Sequence, residues 1–107
     1  MVVICNRIQV NPGHEADFEK MFLERDESQI LHPLSAQPGF IRNDILRPTR
    51  GEPHVVLTYW ESREAFETWT HSASFKEAHS GRPRPEIFAG PPHLEIHEVI
   101  RSTVPGK

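Results

Sequence analysis

The amino-acid sequence predicts an α+β domain with the ferredoxin-like order β-α-β-β-α-β, and two observations carry this prediction. Four segments show the alternation of apolar and polar residues, or the β-branched and aromatic content, that is typical of strands. Helix signals lie between the first and second of these segments and again between the third and fourth. We expect an antiparallel sheet with both helices on one face. With 107 residues, the chain has the size of one domain spanning residues 1–107.

The first half of the chain predicts one strand and one long helix. Alternate apolar side chains place the first strand over Val2–Val10. Asn11 is the predicted N-cap of the following helix, with Pro12 at its first position. We expect this helix to end near Ser28, before the Gln-Pro-Gly sequence at 37–39 breaks the chain again.

The middle of the chain predicts a hairpin followed by a helix. Phe40–Leu46 and His54–Trp60 are the second and third strands, and the short polar connection between them predicts that they pair. Ser62 occupies the position of an N-cap, so a helix is predicted over Arg63–His71.

The last third of the chain adds a further helical turn, a loop and a strand. Ser72 caps a predicted helical segment that ends at His79. Residues 80–92 are rich in proline and glycine, which predicts an irregular loop. The alternation from His93 to Ile100 predicts the fourth strand.

The face of the sheet turned away from the helices is also predicted to be apolar. We assign to it the side chains of Val3, Cys5, Val56, Trp60 and Val99. A single copy of the chain would leave these side chains in water, so we expect a symmetric homodimer in which two sheets cover each other.

Composition excludes several classes of protein. The net charge is −3 and no block of Lys and Arg is present, which argues against a nucleic-acid partner. The apolar run at the N-terminus ends at Asn6, too early for a membrane span or a signal peptide core. Cys5 is the one cysteine of the chain and has no partner for an internal disulfide, so we expect a cytoplasmic protein.

Three residues stand out against this background, although each has an ordinary structural explanation. Asn6 lies on the strand face that the helices should cover, where an amide without partners costs about 1–3 kcal/mol. It is either bonded to neighbouring backbone or directed into a cavity. Trp69 shares a helical stripe with Phe66 and is by itself typical of a core. His79 ends a helical segment, where a histidine is favourable in any case.

Together these residues belong to stretches with a specific resemblance. The stretches are Cys5-Asn6-Arg7-Ile8, Leu57-Thr58-Tyr59-Trp60, Ala65-Phe66-Glu67-Thr68-Trp69 and Phe75-Lys76-Glu77-Ala78-His79. With the order of elements, they resemble the IsdG-type heme-degrading monooxygenases of the antibiotic-biosynthesis-monooxygenase superfamily. The resemblance covers most of the chain and implies a site made of Asn6, Trp69 and His79. The proline-rich sequence after His79 departs from the expected composition of this family.

The resemblance implies heme chemistry with a defined role for each residue. His79 would bind the heme iron axially as a neutral imidazole and leave the opposite position open for oxygen. Trp69 would pack against the macrocycle and help to bend it. The Asn6 amide would donate a hydrogen bond to the bound oxygen.

Further residues complete the implied heme site. Phe22 and Phe66 are candidate walls of the pocket, and Arg82 or Arg84 would pair with the heme propionates. Heme would be both substrate and prosthetic group, and its opening would release iron and a linear tetrapyrrole. An external electron donor is required, since the chain is too small for a flavin or nicotinamide domain and lacks a G-x-G-x-x-G stretch.

Two alternatives remain open at this stage. In the first, the chain is a monooxygenase without a cofactor that oxidises quinol or polyketide aromatics, with His79 as acid or base. In the second, it is a non-catalytic domain that binds a small molecule or serves in a stress response. Tight heme binding with turnover separates the heme hypothesis from both.

Overall fold

A computed structural model describes residues 1–79 and 85–106 of the chain. The strands are β1 (Val2–Ile8), β2 (Phe40–Leu46), β3 (His54–Trp60) and β4 (His93–Glu98). The helices are α1 (Glu15–Leu23), α2 (Arg63–Thr70) and α3 (Ala73–Ala78), and short 3-10 turns cover Glu27–Gln29 and Leu34–Ala36. This order confirms the predicted α+β fold, and α2 and α3 lie where the helical segments after Ser62 and Ser72 were predicted. No helix in the described ranges is long and apolar enough to cross a bilayer.

The four strands form one antiparallel sheet in the order β2-β3-β1-β4. β1 is therefore central and pairs with β3 on one side and β4 on the other. Asn6 lies opposite Val56 of β3 and Leu94 of β4. Because directly opposed residues of an antiparallel pair share a face, this register determines which side chains the helices cover.

The helices cover one face of the sheet through two apolar clusters. The first, here called the tryptophan cluster, consists of Val2, Ile4, Trp60, Phe66 and Trp69. The second, here called the α1 cluster, consists of Ile8, Phe18 and Ile87. β1 contributes to both clusters, with its first residues in the tryptophan cluster and its last residue in the α1 cluster. The core is thus divided along the length of β1.

The assignment of Trp60 and Val56 to the uncovered face is wrong. Trp60 lies opposite Val2 and is 0% exposed, in the core beneath α2. Val56 packs against the α1 cluster. The alternation within β3 is correct, but the pairing with β1 decides which set of its side chains faces the helices. The register across two strands is not visible in either strand alone.

The uncovered face is nevertheless apolar at its centre. The side chains that the register places there include Val3 and Cys5 of β1 and Val55, Leu57 and Tyr59 of β3, all of them half-buried. Charged groups flank this centre, with Arg7 paired to Glu95 at 3.3 Å and the Arg42 guanidinium 4.5 Å from the Tyr59 ring centroid.

The join between β1 and α1 differs from the prediction. β1 ends at Ile8, and α1 begins at Glu15 with His14 at its N-cap, which makes no side-chain capping bond. Asn11 is not the cap, because its Nδ2 donates to the carbonyls of Glu86 and Phe88. The expected start and end of this helix are therefore both wrong, since Leu23 rather than Ser28 is its last residue.

The caps of the other two helices are confirmed. Ser62 Oγ accepts a hydrogen bond from the Ala65 amide at 3.1 Å and begins α2. Ser72 Oγ accepts from the Phe75 amide at 3.2 Å and begins α3. Since such caps depend on residues three positions apart, the local sequence is enough to predict them.

Candidate functional site

The end of α3 presents a histidine whose ring is oriented by a backbone carbonyl. His79 is the C-cap of α3, and its Nδ1 lies 2.8 Å from the carbonyl oxygen of Phe75, one turn earlier. A carbonyl only accepts, so Nδ1 is the donor, and in the neutral imidazole Nε2 then carries the lone pair. The rest of the described chain provides no hydrogen bond to that nitrogen. His79 is exposed, so the lone pair is available to a ligand.

Aromatic rings connect this imidazole to the core. The ring of Phe75 lies 4.0 Å from that of His79, between centroids, at an interplanar angle of 30°. Trp69 lies 6.2 Å from His79 and 4.9 Å from Phe75. Trp69 is 9% exposed and packs on Phe66 and Trp60. The structure therefore brings His79, Trp69 and Phe66 into one aromatic array.

Asn6 lies on β1 where the two clusters of the core meet. Its side chain shares the covered face of the sheet with Ile4 of the tryptophan cluster and Ile8 of the α1 cluster. Its Oδ1 is buried and makes no hydrogen bond in the described part of the chain. An unpaired buried acceptor costs about 1–3 kcal/mol, so this oxygen marks a place where a ligand group would be stabilised.

The other predicted site residues fall elsewhere. Phe22 packs beside the α1 cluster, with its ring 5.2 Å from that of Phe18. It is therefore separated from the array around Trp69 and belongs to the opposite side of the core. Arg82 and Arg84 lie outside the described residues, so their predicted role at the propionates stays a prediction.

Two clefts open on the described surface at other places. One, of about 330 Å³, lies between the start of β2 and α2 and touches Trp69 from there. The other, of about 240 Å³, is lined by Glu19, Leu23, Ile45, Arg47 and His54. Neither is lined by Asn6 or His79, so we place the candidate site by its side-chain chemistry rather than by these concavities.

The second cleft contains a closed network of charges. Glu19 of α1 accepts from His54 Nε2 at 2.8 Å and from Arg47 Nε at 2.9 Å. The Arg47 hydrogen bond and, next, that of His54 lower the pKa of Glu19 from 4.5 to about 2. His54 is buried, and its ring lies 4.9 Å from that of Phe18. Each group is paired with another protein group, so the network ties α1 to the β2–β3 hairpin.

Sequence analysis missed two residues that hold α3 in place. Ser74 Oγ accepts a hydrogen bond from Trp69 Nε1 at 3.1 Å, with both side chains buried. The carboxylate of Glu77 accepts from the backbone amides of Leu31 and His32 at 3.1 and 2.9 Å. A serine inside a short helix, next to Phe75 and five positions after Trp69, is a signal for the first contact. The second joins residues 45 and 46 positions apart and has no local signal.

The described residues include no group of three or more His, Cys, Asp or Glu side chains that could hold a metal ion. A metal at His79 would therefore need ligands beyond those that the described residues supply. A porphyrin supplies four nitrogens of its own and asks for one axial imidazole. The donor set fits a heme better than a free ion.

Comparison with known proteins gives relatives with a consistent description. The family model described as antibiotic biosynthesis monooxygenase matches residues 1–81. A heme oxygenase (mycobilin-producing) of Mycobacterium tuberculosis is 35% identical over 100 residues, covering 92% of this chain and 90% of the relative. A heme oxygenase (staphylobilin-producing) of Staphylococcus haemolyticus is 31% identical, covering 97% and 95% of the two chains.

Solved structures agree with these relatives. The heme-degrader MhuD from Mycobacterium tuberculosis, with two hemes bound in its active site, superposes with a TM-score of 0.79 at 30% identity. The match covers 97% of this chain and 100% of that one. A Bacillus cereus protein described as a putative antibiotic biosynthesis monooxygenase superposes with a TM-score of 0.71 at 23% identity over 99% and 97% of the two chains, which supports the fold alone. The family model and the relatives confirm the resemblance found in the sequence: this chain belongs to the antibiotic biosynthesis monooxygenase family.

Proposed function

We propose that this protein is a heme-degrading monooxygenase that opens the porphyrin with oxygen and reductant and releases iron. The observation that carries the proposal is the orientation of His79, whose Nδ1–H is held by the Phe75 carbonyl while no residue described by the structure bonds to Nε2. This is the arrangement of histidines that ligate metals, in which a carbonyl or carboxylate orients the ring and fixes its tautomer. The heme chemistry of the Mycobacterium and Staphylococcus relatives supports it.

His79 would hold the heme through Nε2. In the neutral ring, the bond from Nδ1–H to the carbonyl of Phe75 favours the tautomer in which Nε2 carries the lone pair that ligation needs. Since that carbonyl belongs to the last turn of α3, the orientation of the helix end determines the direction of the lone pair. The same bond increases the basicity of the ligating nitrogen.

Asn6 would orient a polar group of the ligand. Its carboxamide offers an oxygen acceptor and two N–H donors, and rotation about the terminal torsion exchanges them. The buried Oδ1 has no partner in the described residues, so the side chain gains a hydrogen bond when a ligand group arrives. We assign to Asn6 the steering of the reacting oxygen.

The aromatic residues would exclude water from the reacting centre. Trp69 and Phe66 are buried with Trp60 in the tryptophan cluster, so the wall beside His79 is backed by a packed core. A backed wall keeps its shape against a macrocycle that presses on it. Phe22, which packs beside the α1 cluster, and the guanidinium groups of Arg82 and Arg84 remain proposed as further contacts of the heme.

Heme, when bound, supplies the iron that activates oxygen and is at the same time the molecule that is opened, so it is both prosthetic group and substrate. The chain's own residues bind it, orient the reacting groups and keep water out. The electrons would come from an external donor, because the sequence contains no G-x-G-x-x-G stretch for a dinucleotide.

The test is a single-turnover reaction of the heme complex in air with ascorbate as electron donor. We expect the Soret absorbance to disappear, ferrous iron to appear in a ferrozine assay, and a linear tetrapyrrole to be found by mass spectrometry. The wild-type protein and Asn6→Ala should both bind heme, whereas Asn6→Ala should turn over about tenfold or more slowly, as is typical when a positioned hydrogen-bond donor is lost.

Catalase and an anaerobic sample are the controls. Bleaching that catalase prevents would come from free peroxide and would contradict enzymatic opening. A protein that binds no heme but consumes oxygen with a quinol would support the alternative of a cofactor-independent monooxygenase. A protein inert in both assays would leave the non-catalytic binding domain.

We also propose that the protein acts as a homodimer that buries the uncovered face of the sheet. Half-buried apolar residues form the centre of that face, including Leu57 of β3. The chain beyond β4 supports the proposal, since Val99 still bonds to the Met1 carbonyl at 2.9 Å but Ile100 is 95% exposed. A second copy would cover both the uncovered face of the sheet and Ile100.

Light scattering coupled to size-exclusion chromatography tests the dimer. Leu57→Glu places a charge at the centre of the uncovered face and should convert a dimer into monomers. Leu31→Glu, at an exposed leucine outside the sheet, is the matched control and should leave the mass unchanged. A wild-type monomer would contradict the proposal. The cytoplasmic location of the protein also stays a prediction, and cell fractionation tests it.

A further inference from the structure

Ser74 is a buried polar residue with a partner that belongs to the candidate site. It lies in α3, is 3% exposed, and its Oγ accepts the hydrogen bond of the Trp69 indole at 3.1 Å. The bond runs from α2 to α3, so it joins the helix that carries Trp69 to the helix that ends at His79.

Helix capping does not account for this serine. The N-cap of α3 is Ser72, whose Oγ already accepts from the Phe75 amide. Ser74 is inside the helix, where serine is a poorer helix former than alanine. A hydroxyl at this buried position is therefore unfavourable for α3 alone, and its contribution is the bond to the indole.

The second tryptophan shows that burial of an indole here does not require such a bond. Trp60 is 0% exposed, and its Nε1 is buried without a hydrogen-bond partner among the described residues. It is held by packing against Phe40, Phe66 and Trp69. The bond of Trp69 to Ser74 thus distinguishes the indole that faces His79 from the one that does not.

The indole of Trp69 packs against a residue that orients His79. Its ring lies 4.9 Å from Phe75, whose carbonyl holds His79 Nδ1. A rotation of the indole about its side-chain torsions would disturb the packing of Phe75 and, through it, the stacked imidazole of His79 at 4.0 Å. Fixing Nε1 removes that freedom.

We infer that Ser74 is a positioning residue: its hydroxyl holds the Trp69 indole in one orientation and thereby fixes the aromatic wall beside His79. Its consequence for heme rests on the proposed function. Its consequence for the indole does not, because the bond exists in the protein without a ligand. Loss of the hydroxyl should leave the ring buried but free to reorient.

Indole N–H resonances of ¹⁵N-labelled protein test the inference directly, since the chain has only two tryptophans. Trp69→Phe assigns the two peaks. In Ser74→Ala, the Trp69 peak should move upfield and exchange faster with solvent, whereas the Trp60 peak, which comes from the packed neighbouring indole, should move less. Ser74→Thr keeps the hydroxyl and should restore the Trp69 peak.

Ser72→Ala is the matched control for a weakened α3. It removes the cap and the bond that Ser72 Oγ donates to the Trp69 backbone carbonyl, and so destabilises the helix, yet it leaves Ser74 and the indole bond in place. We therefore expect no upfield movement of the Trp69 peak in Ser72→Ala. An equal movement in both variants would show that α3 as a whole positions the ring and would overturn the inference, as would an unchanged Trp69 peak in Ser74→Ala.

Heme affinity supplies the second readout. Ser74→Ala should weaken heme binding about fivefold, the equivalent of one hydrogen bond, and the same change in a Trp69→Phe background should have no further effect. An equal weakening in both backgrounds would contradict a role through Trp69. If the wild-type protein bound no heme, the proposed function would fail, and the indole peaks alone would decide whether Ser74 fixes the ring.

Discussion

Two histidines, one at the start of β3 and one at the end of α3, show how this fold separates structure from function. His54 is 2% exposed, and its Nε2 is bonded to Glu19. His79 is exposed, with Nδ1 bonded to a backbone carbonyl and Nε2 free of protein partners in the described chain. The first histidine closes a network within the protein, whereas the second is oriented by the protein and left open on its outer nitrogen.

The difference teaches that side-chain atoms without a hydrogen-bond partner beside the aromatic residues, rather than unusual residues or the described clefts, indicate the candidate site. The cleft at Glu19, Arg47 and His54 is rich in charge, but its groups are paired with one another. Asn6 Oδ1 and His79 Nε2 are less conspicuous, and both lack protein partners among the residues described. The pairs of the first region contribute to stability, and the open groups of the second are available for binding.

The largest effect on stability is expected for His54→Ala. It removes a buried ring that packs on Phe18 and takes one partner from Glu19, so the free energy of unfolding should fall by about 3 kcal/mol. Urea unfolding followed by circular dichroism measures this loss. Heme affinity of the folded variant should change by no more than about twofold, because the two regions are separate. A large loss of heme affinity would break the comparison.

Glu19→Gln should have a somewhat smaller effect. The amide keeps the size of the side chain but weakens two charge-assisted hydrogen bonds, from Arg47 and His54, so we expect a loss of about 2 kcal/mol. Glu24→Gln, at the exposed C-cap acid of the same helix, is the matched control and should change the unfolding midpoint little. Equal effects of both variants would mean that the network does not stabilise the contact between α1 and the β2–β3 hairpin.

The pH dependence of stability sharpens the same point. The folded-state pKa of Glu19 is lowered from 4.5 to about 2, so its contribution is fully present above about pH 4.5. As the pH falls from 4.5 towards 2, the unfolded chain takes up the proton first, and this stability is lost. Unfolding midpoints measured across this range should decline more steeply for the wild type than for Glu19→Gln. Parallel curves would contradict the assignment.

The smallest effect on stability is expected at the open histidine. His79→Ala removes one exposed ring and its bond to the Phe75 carbonyl, so the free energy of unfolding should change by less than about 1 kcal/mol. The same urea experiment measures it. A loss as large as that of His54→Ala would show that His79 is a structural residue, and the contrast between the two histidines would disappear.

The parts of the fold that depend on neighbouring residues were predictable from the sequence. The caps at Ser62 and Ser72 are formed with amides three positions further on. The hairpin of β2 and β3 follows from two β-rich runs joined by a short polar connection. The resemblance that named Asn6, Trp69 and His79 also rested on residues within single elements.

The parts that depend on distant residues were not predictable. The face of Trp60 depends on its pairing with Val2 across the sheet. Asn11 lost its predicted cap role to carbonyls at Glu86 and Phe88, 75 and 77 positions away. The bond of Glu19 to His54 spans 35 positions. A sequence pattern does not contain such long-range partners, so roles that depend on them come only from the structure.

The most direct test of the central claim is a heme titration of His79→Ala beside His71→Ala. Both histidines are exposed and end a helix as its C-cap, His79 on α3 and His71 on α2. We predict that His71→Ala forms the wild-type Soret complex, that His79→Ala binds about 100-fold more weakly, and that added imidazole restores the spectrum of His79→Ala. An unchanged Soret complex in His79→Ala would contradict the assignment of this histidine as the heme ligand.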